Sequence, residues 1–119
     1  MYICYIIQSI NYPENIYVGT TNDFKRRIRQ HNRELQGGAK HTKKYLPWKI
    51  YKTAIGFEDR NQAMQFEYAI QRPEKSRYFK YLEKKNRKRT FKKKQVDFIL
   101  TEITKNNQFS HIEIINSLP

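Results

Sequence analysis

With 119 residues and a formal net charge of +13, from 24 Lys and Arg against 11 Asp and Glu, the chain has room for one compact domain and little for a second, and its charge favours a polyanionic partner. Its one cysteine, Cys4, excludes an internal disulfide and a multi-cysteine zinc site within these residues. No apolar run approaches the roughly 18–20 residues of a membrane-spanning helix, and residues 2–7 lack the basic lead of a secretory signal, so an intracellular protein without a membrane partner is expected.

Residues 2–8, dense in Tyr and Ile, read as a strand. Asn11, Pro13, Glu14 and Asn15 mark a loop, and residues 16–19 (Ile-Tyr-Val-Gly) return as a second strand. The short connection makes the two an antiparallel hairpin, with Tyr5 and Tyr17 near each other; simple packing is the plainer reading of either tyrosine. Asn22 reads as an N-cap with Asp23 in the first turn, opening a helix over about residues 23–34. Phe24, Ile28 and Leu35 form one narrow apolar stripe on it. Arg27 and His31 lie one turn apart at the edge of that stripe and face inward, whereas Arg26, Arg29 and Arg33 point away. An inward Arg and His beside a strand-end tyrosine suggest a site.

Residues 36–44 form a glycine-bearing basic loop, either a linker or a set of N–H groups suited to phosphate. Pro47 then precedes a third strand over residues 48–55. Asp59 with Gln62 matches a capping box, so a helix begins near Arg60 and ends at Arg72, because Pro73 cannot continue it. Its apolar stripe, Ala63, Phe66 and Ile70, is interrupted by Glu67. A carboxylate there is costly unless it meets a cation or a metal, and a salt bridge to Arg27 is the structural alternative to a ligand role.

Residues 72–94 hold 12 of the 24 basic residues against Glu74 and Glu83. Tyr78, Phe79, Tyr81, Leu82 and Phe91 are interleaved with them, so helices are expected on both sides of Asn86, presenting a phosphate-backbone platform. An amphipathic helix over residues 95–105 (Val96, Ile99, Leu100, Ile103) and a short edge strand at residues 111–115 complete the chain. The expected fold class is α+β, a small antiparallel three-stranded sheet flanked by helices, with additional basic helices in the C-terminal half. The expected organisation is a single domain over residues 1–119, with a core of about 1–73 and a basic helical extension of about 74–119.

The pair Ile3-Cys4-Tyr5 and Tyr17-Val18-Gly19, followed by residues 22–27 and later Glu67, resembles the GIY-YIG nuclease domain. R-R-I-R-Q-H-N (26–32), G-G-A-K-H-T (37–42), P-W (47–48) and Q-F-E-Y-A-I-Q-R-P-E-K-S-R (65–77) narrow the resemblance to the nuclease domain of SLX-type structure-specific endonucleases, over at least residues 1–80. Two positions depart from the family pattern: Ile3 replaces the glycine of the first motif, and Thr20 stands where some members have a lysine. SLX-type enzymes also carry a cysteine-rich zinc-binding domain that docks a scaffold subunit. With one cysteine here, the expectation is either a minimal self-sufficient form or a partner contact on another surface.

The resemblance implies an endonuclease that hydrolyses DNA phosphodiester bonds at flaps, forks and junctions, in DNA repair and recombination, with little sequence specificity. It implies one Mg²⁺ (or Mn²⁺) held by Glu67 and Tyr17 orienting or deprotonating the attacking water. Arg27 would hold the scissile phosphate, with Tyr5 and His31 completing the site and His31 a candidate proton relay. DNA contacts would fall to Arg26, Arg29, Lys40, Lys43, Lys44, Arg72, Lys75 and Arg77, mostly on the backbone. The implied partners are branched double-stranded DNA and a scaffold subunit or second copy. The implied location is the nucleus if the source is eukaryotic, and the cytoplasm or a viral replication site otherwise. The alternative is a non-catalytic or partner-dependent nucleic-acid-binding module, which leaves Glu67 on its apolar stripe unexplained.

Overall fold

A computed structural model of the chain describes residues 1–89 and 92–118; Phe91, expected among the anchoring aromatics, lies outside them. The strands are β1 (Ile3–Ser9), β2 (Ile16–Thr21), β3 (Trp48–Ile55) and β4 (Glu113–Ile115), and the α-helices are α1 (Phe24–His31), α2 (Arg60–Gln71) and α3 (Lys93–Ile103). The strands form one antiparallel sheet in the order β2-β1-β3-β4. The fold class is therefore α+β, but the expected three strands become four among the described residues. The C-terminal Glu-Ile-Ile segment adds to β3, pairing Thr53 with Ile115 and Ile55 with Glu113.

β1 is apolar almost throughout because it is central and covered on both faces. One face carries Cys4, Ile6, Val18 and Ala54 against Phe66, Ala69 and Ile70 of α2 and Val96, Ile99 and Leu100 of α3. The other carries Ile3, Tyr5, Ile7 and Trp48 against Phe24 of α1. Register puts Tyr5 opposite Gly19 and Ile7 opposite Tyr17, so the motif residues of the hairpin share the α1 face. Gly19 is required there by space: a Cβ would lie 2.2 Å from the Tyr5 hydroxyl oxygen.

α1 is capped by Asp23, whose carboxylate accepts from the Arg26 N–H (3.2 Å), not by Asn22 as expected. It ends at His31 rather than near Glu34. Arg33 takes a left-handed φ of 64°, Arg33 N–H donates to Gln30 O, and Glu34 N–H reaches back to Arg29 O, a Schellman termination. α2 begins as the sequence implies. Asp59 accepts from Gln62 N–H at 2.8 Å, while the Gln62 amide oxygen accepts from Glu58 N–H, one residue earlier than a strict capping box.

Before Asn86 the expected helix is replaced by 3₁₀ turns at Pro73–Lys75, Arg77–Phe79 and Lys84–Asn86, and after it the described residues hold no helix ahead of α3. Pro73, Ser76 and Phe79 are buried, a period of three that matches the 3₁₀ repeat rather than 3.6. The bonds Ser76 N–H to Pro73 O, Phe79 N–H to Ser76 O and Leu82 N–H to Phe79 O follow that period. The regular helix resumes only at α3, whose start is tied back to the β1–β2 loop by Lys93 N–H donating to Glu14 O.

Candidate active site at the edge of the sheet

β2 is an edge strand, and the expected site residues gather beside it from four elements. Tyr5 rises from β1 over Gly19 and shares a 2.7 Å hydrogen bond with His31 Nε2. Arg27 Nε donates to the Tyr5 hydroxyl at 3.3 Å. His31 Nδ1 stands 3.0 Å from Thr42 Oγ1, whose own proton goes to Ala39 O. Thr42 Oγ1 is thus the acceptor, so Nδ1 carries the imidazole proton and Nε2 accepts from Tyr5.

The glycine-bearing loop is neither a loose linker nor a cradle of free N–H groups where its bonds are seen. Its carbonyls face the arginines: Gly37 O accepts from Arg27 Nη1 at 2.8 Å and Ala39 O accepts from Arg33 Nη2 at 2.8 Å. Gly37 has a φ of 101°, and a Cβ on Gly38 would lie 2.3 Å from Gln30 O, so each glycine is needed, one for backbone conformation and one for space. Gln30 Oε1 adds a further acceptor for Arg27 Nη1. One side of the guanidinium is thereby fixed in direction.

Tyr17 packs against the His31 ring at 5.0 Å and is stacked on His41 at 5.9 Å. Burial raises its hydroxyl pKa and the neighbouring Arg27 charge opposes that rise. Tyr5 is likewise raised by burial. His31 is fully buried, and its pKa is lowered to about 4, first by that burial and then by the charges of Arg27 and Arg33. That places it far from neutrality, where the proton-relay role expected of it would need it to titrate.

Glu67 reaches the same cluster from α2. Its carboxyl pKa is raised by burial, against which the Thr20 hydroxyl, the Arg27 charge and the Thr20 main chain act. Thr20 Oγ1 is buried and has no partner in hydrogen-bonding geometry among the described residues, so its approach to Glu67 is a close polar contact rather than a formed bond. None of the ion pairs among the described residues includes Glu67; the salt bridge to Arg27 does not form, although Arg27 bears on it electrostatically. No three His, Cys, Asp or Glu side chains converge among those residues. A lone desolvated carboxylate beside an unpartnered hydroxyl fits a hard cation that keeps most of its water, as Mg²⁺ or Mn²⁺ does, and not a site needing a full protein cage.

The expected DNA-contacting residues separate into groups. Arg26 and Arg29 are exposed and line a surface groove with Leu35. Lys40, Lys43 and Lys44 are exposed on the 3₁₀ turn that carries Thr42 and His41, and Arg89 and Lys44 both act electrostatically on His41. Lys75 and Arg77 are exposed at the far side of α2. Arg72 is instead held by Glu74 at 2.7 Å. Sequence reading missed Thr42, Gln30 and Gly37 as supports of His31 and Arg27. Thr42 had one signal, a small hydroxyl residue kept within a lysine-rich loop; Gly37 acts through its carbonyl and had none.

Residues 1–81 match the family model described as the GIY-YIG catalytic domain. The chain is 43% identical over 75 residues to the structure-specific endonuclease subunit SLX1 homolog of Giardia intestinalis, covering 63% of this chain and 21% of that one. It is 42% identical to the SLX1 subunit of Debaryomyces hansenii, with 66% and 24% covered. With that of Candida glabrata it shares 37% identity over 120 residues, with 95% and 38% covered. The chain thus spans from about a fifth to two fifths of the length of these relatives.

Proposed function

The chain belongs to the GIY-YIG catalytic domain family, and from that premise we propose that it is a metal-dependent endonuclease cutting branched DNA, at flaps, forks and junctions, with little regard to sequence. The observation that carries this reading is the meeting of Glu67, desolvated and without an ion pair, with Arg27 and Tyr17 beside the edge strand. A merely structural carboxylate on that stripe would be paired or turned to solvent.

In this reading Arg27 binds the scissile phosphate through the part of its fork not committed to Gly37 and Gln30. Tyr5 and the neutral His31 hold Arg27 at the angle required; they are positioning groups. Tyr17, ionised when it acts, takes a proton from the attacking water. The water oxygen forms the new bond to phosphorus while the bond to the leaving sugar oxygen breaks. Glu67 would hold a hydrated divalent ion, which when bound would supply charge neutralisation at the phosphate and lower the pKa of nearby water. Arg26, Arg29, Lys40, Lys43 and Lys44 hold the DNA backbone, which gives recognition of branch geometry rather than bases. The relatives are named as subunits, which supports a partner chain, either a scaffold or a second copy, in an intracellular compartment that holds DNA.

The test is cleavage of labelled 5′-flap, fork and linear duplex DNA with Mg²⁺, wild type beside Glu67→Gln. The expected outcome is branch-selective cutting, lost in the variant with DNA binding retained. Tight binding with no cutting in either Mg²⁺ or Mn²⁺ would leave a binding module in place of an enzyme.

A further inference from the structure

α2 has a second surface beyond the cleft. Ala63, Phe66, Ala69 and Ile70 are buried, whereas Met64 and Tyr68 stand 45% and 50% exposed on the outer face. Helical spacing makes Met64 the neighbour of Glu67, three residues away, and aligns Met64 with Tyr68, four residues on. An apolar stripe therefore starts beside the candidate metal ligand and leads away from it. Across from the stripe, the turns of residues 73–79 close a groove of about 480 Å³, which Tyr78, Lys75, Arg77 and Gln65 also line.

The far wall is held in place by its own contacts. Tyr78 hydrogen-bonds to Gln108 Oε1 at 2.5 Å and packs edge-on against Phe109 at 5.0 Å. The Arg77 guanidinium lies 5.1 Å from the Tyr78 ring centroid and donates to its hydroxyl at 3.0 Å. Two cations and no carboxylate line the groove, and Lys75 takes part in no ion pair among the described residues.

We infer that this groove binds unpaired nucleotides, the single-stranded arm of a branched substrate, with a base stacked on Tyr68 and phosphates on Lys75 and Arg77. Charge complementarity selects a polyanion. The exposed aromatic ring selects one whose bases are free, because the bases of a duplex are stacked on each other and offer only edges and backbone. The inference rests on the nuclease reading above only for the origin of the strand; the groove's chemistry stands by itself.

The test reads binding rather than cutting. Fluorescence anisotropy in EDTA compares a labelled oligothymidylate with a blunt duplex, on the full chain as wild type, Tyr68→Ala and Tyr68→Trp. Tyr68→Ala is expected to weaken the single strand about tenfold, the loss of one base–aromatic stack, and the duplex by less than about twofold. Tyr68→Trp should restore the single strand. Equal weakening of both ligands, or of neither, overturns the inference, and in the second case the stripe is a face for a protein. A chain that cuts no flap yet loses single-strand affinity selectively keeps the groove and discards the nuclease; cutting with an indifferent Tyr68 does the reverse.

Discussion

His31 has two different tasks at its two nitrogens, and its charge state follows from them. Nδ1–H is used on Thr42, so Nε2 must stay bare to accept from Tyr5; a second proton would break that bond and leave a cation beside Arg27. The folded pKa of about 4 lies below the unfolded value of about 6.5. Between those values the unfolded chain binds more protons, so stability falls as pH falls through the window and the full contribution is present above it. The size of the effect is on the order of 3 kcal/mol at most. Urea denaturation of wild type and His31→Gln across this range should show a cost of substitution that is largest at neutral pH and shrinks toward about pH 4. A cost independent of pH would mean that His31 is not held neutral. The same restriction makes it a poor proton relay and a good support, which is why Tyr17 is the candidate base.

At the scale of elements, the end of α1 decides the site's geometry. Asn32 clasps the first residue of β3, its amide donating to Trp48 O at 3.0 Å and its oxygen accepting from Trp48 N–H at 2.5 Å. Trp48 Nε1 in turn donates to Thr42 O, so helix, basic turn and strand lock together around His31. Asn32→Ala leaves two part-buried main-chain groups unpaired and should cost about 2–3 kcal/mol in chemical denaturation. It should also reduce cleavage beyond what the stability loss explains, because Arg27 and His31 shift with the helix. A variant as active as wild type once folded would show that α1 is held by its apolar face alone. This clasp also marks where the sequence was readable. β1 to β3 and α2 follow from periodicity and caps, and the inward turn of Arg27 and His31 follows from the same periodicity, whereas Tyr5 joins them only in what the family resemblance implies. The stop of α1 does not, because Arg33, Glu34 and Leu35 are acceptable helix formers and the stop comes from contacts with residues 39 and 48. The 73–79 turns were hidden in the same way: lysines and arginines mask a burial period of three that only packing exposes. Gln30, Gly37 and Thr42 support the site through an amide, a carbonyl and a hydroxyl, groups that carry no charge signal in a sequence.

For the molecule as a whole, the proposed function raises the question of which part of the +13 charge would meet DNA. Counting basic residues overestimates it, because cations already held by carboxylates displace few counterions from a phosphate backbone. Arg72 is such a cation, paired with Glu74 and only 28% exposed in its side chain. Lys40, Lys43 and Lys44 are the opposite case: they are exposed on a turn whose Thr42 bonds His31 and whose His41 stacks on Tyr17. On the proposed function, a phosphate backbone reaching Tyr17 by way of His41 would pass them. Affinity for duplex should therefore fall linearly on a log–log plot against salt, with each phosphate contact contributing a slope of about 0.9. Replacing all three lysines by Gln should lower that slope by about 2–3 and weaken every duplex alike, whatever its sequence. Arg72→Gln should leave it nearly unchanged. Anisotropy titrations at several salt concentrations separate these outcomes. If the triple variant keeps the wild-type slope, the duplex does not cross this turn, and the approach to Glu67 must run along Arg26 and Arg29 instead.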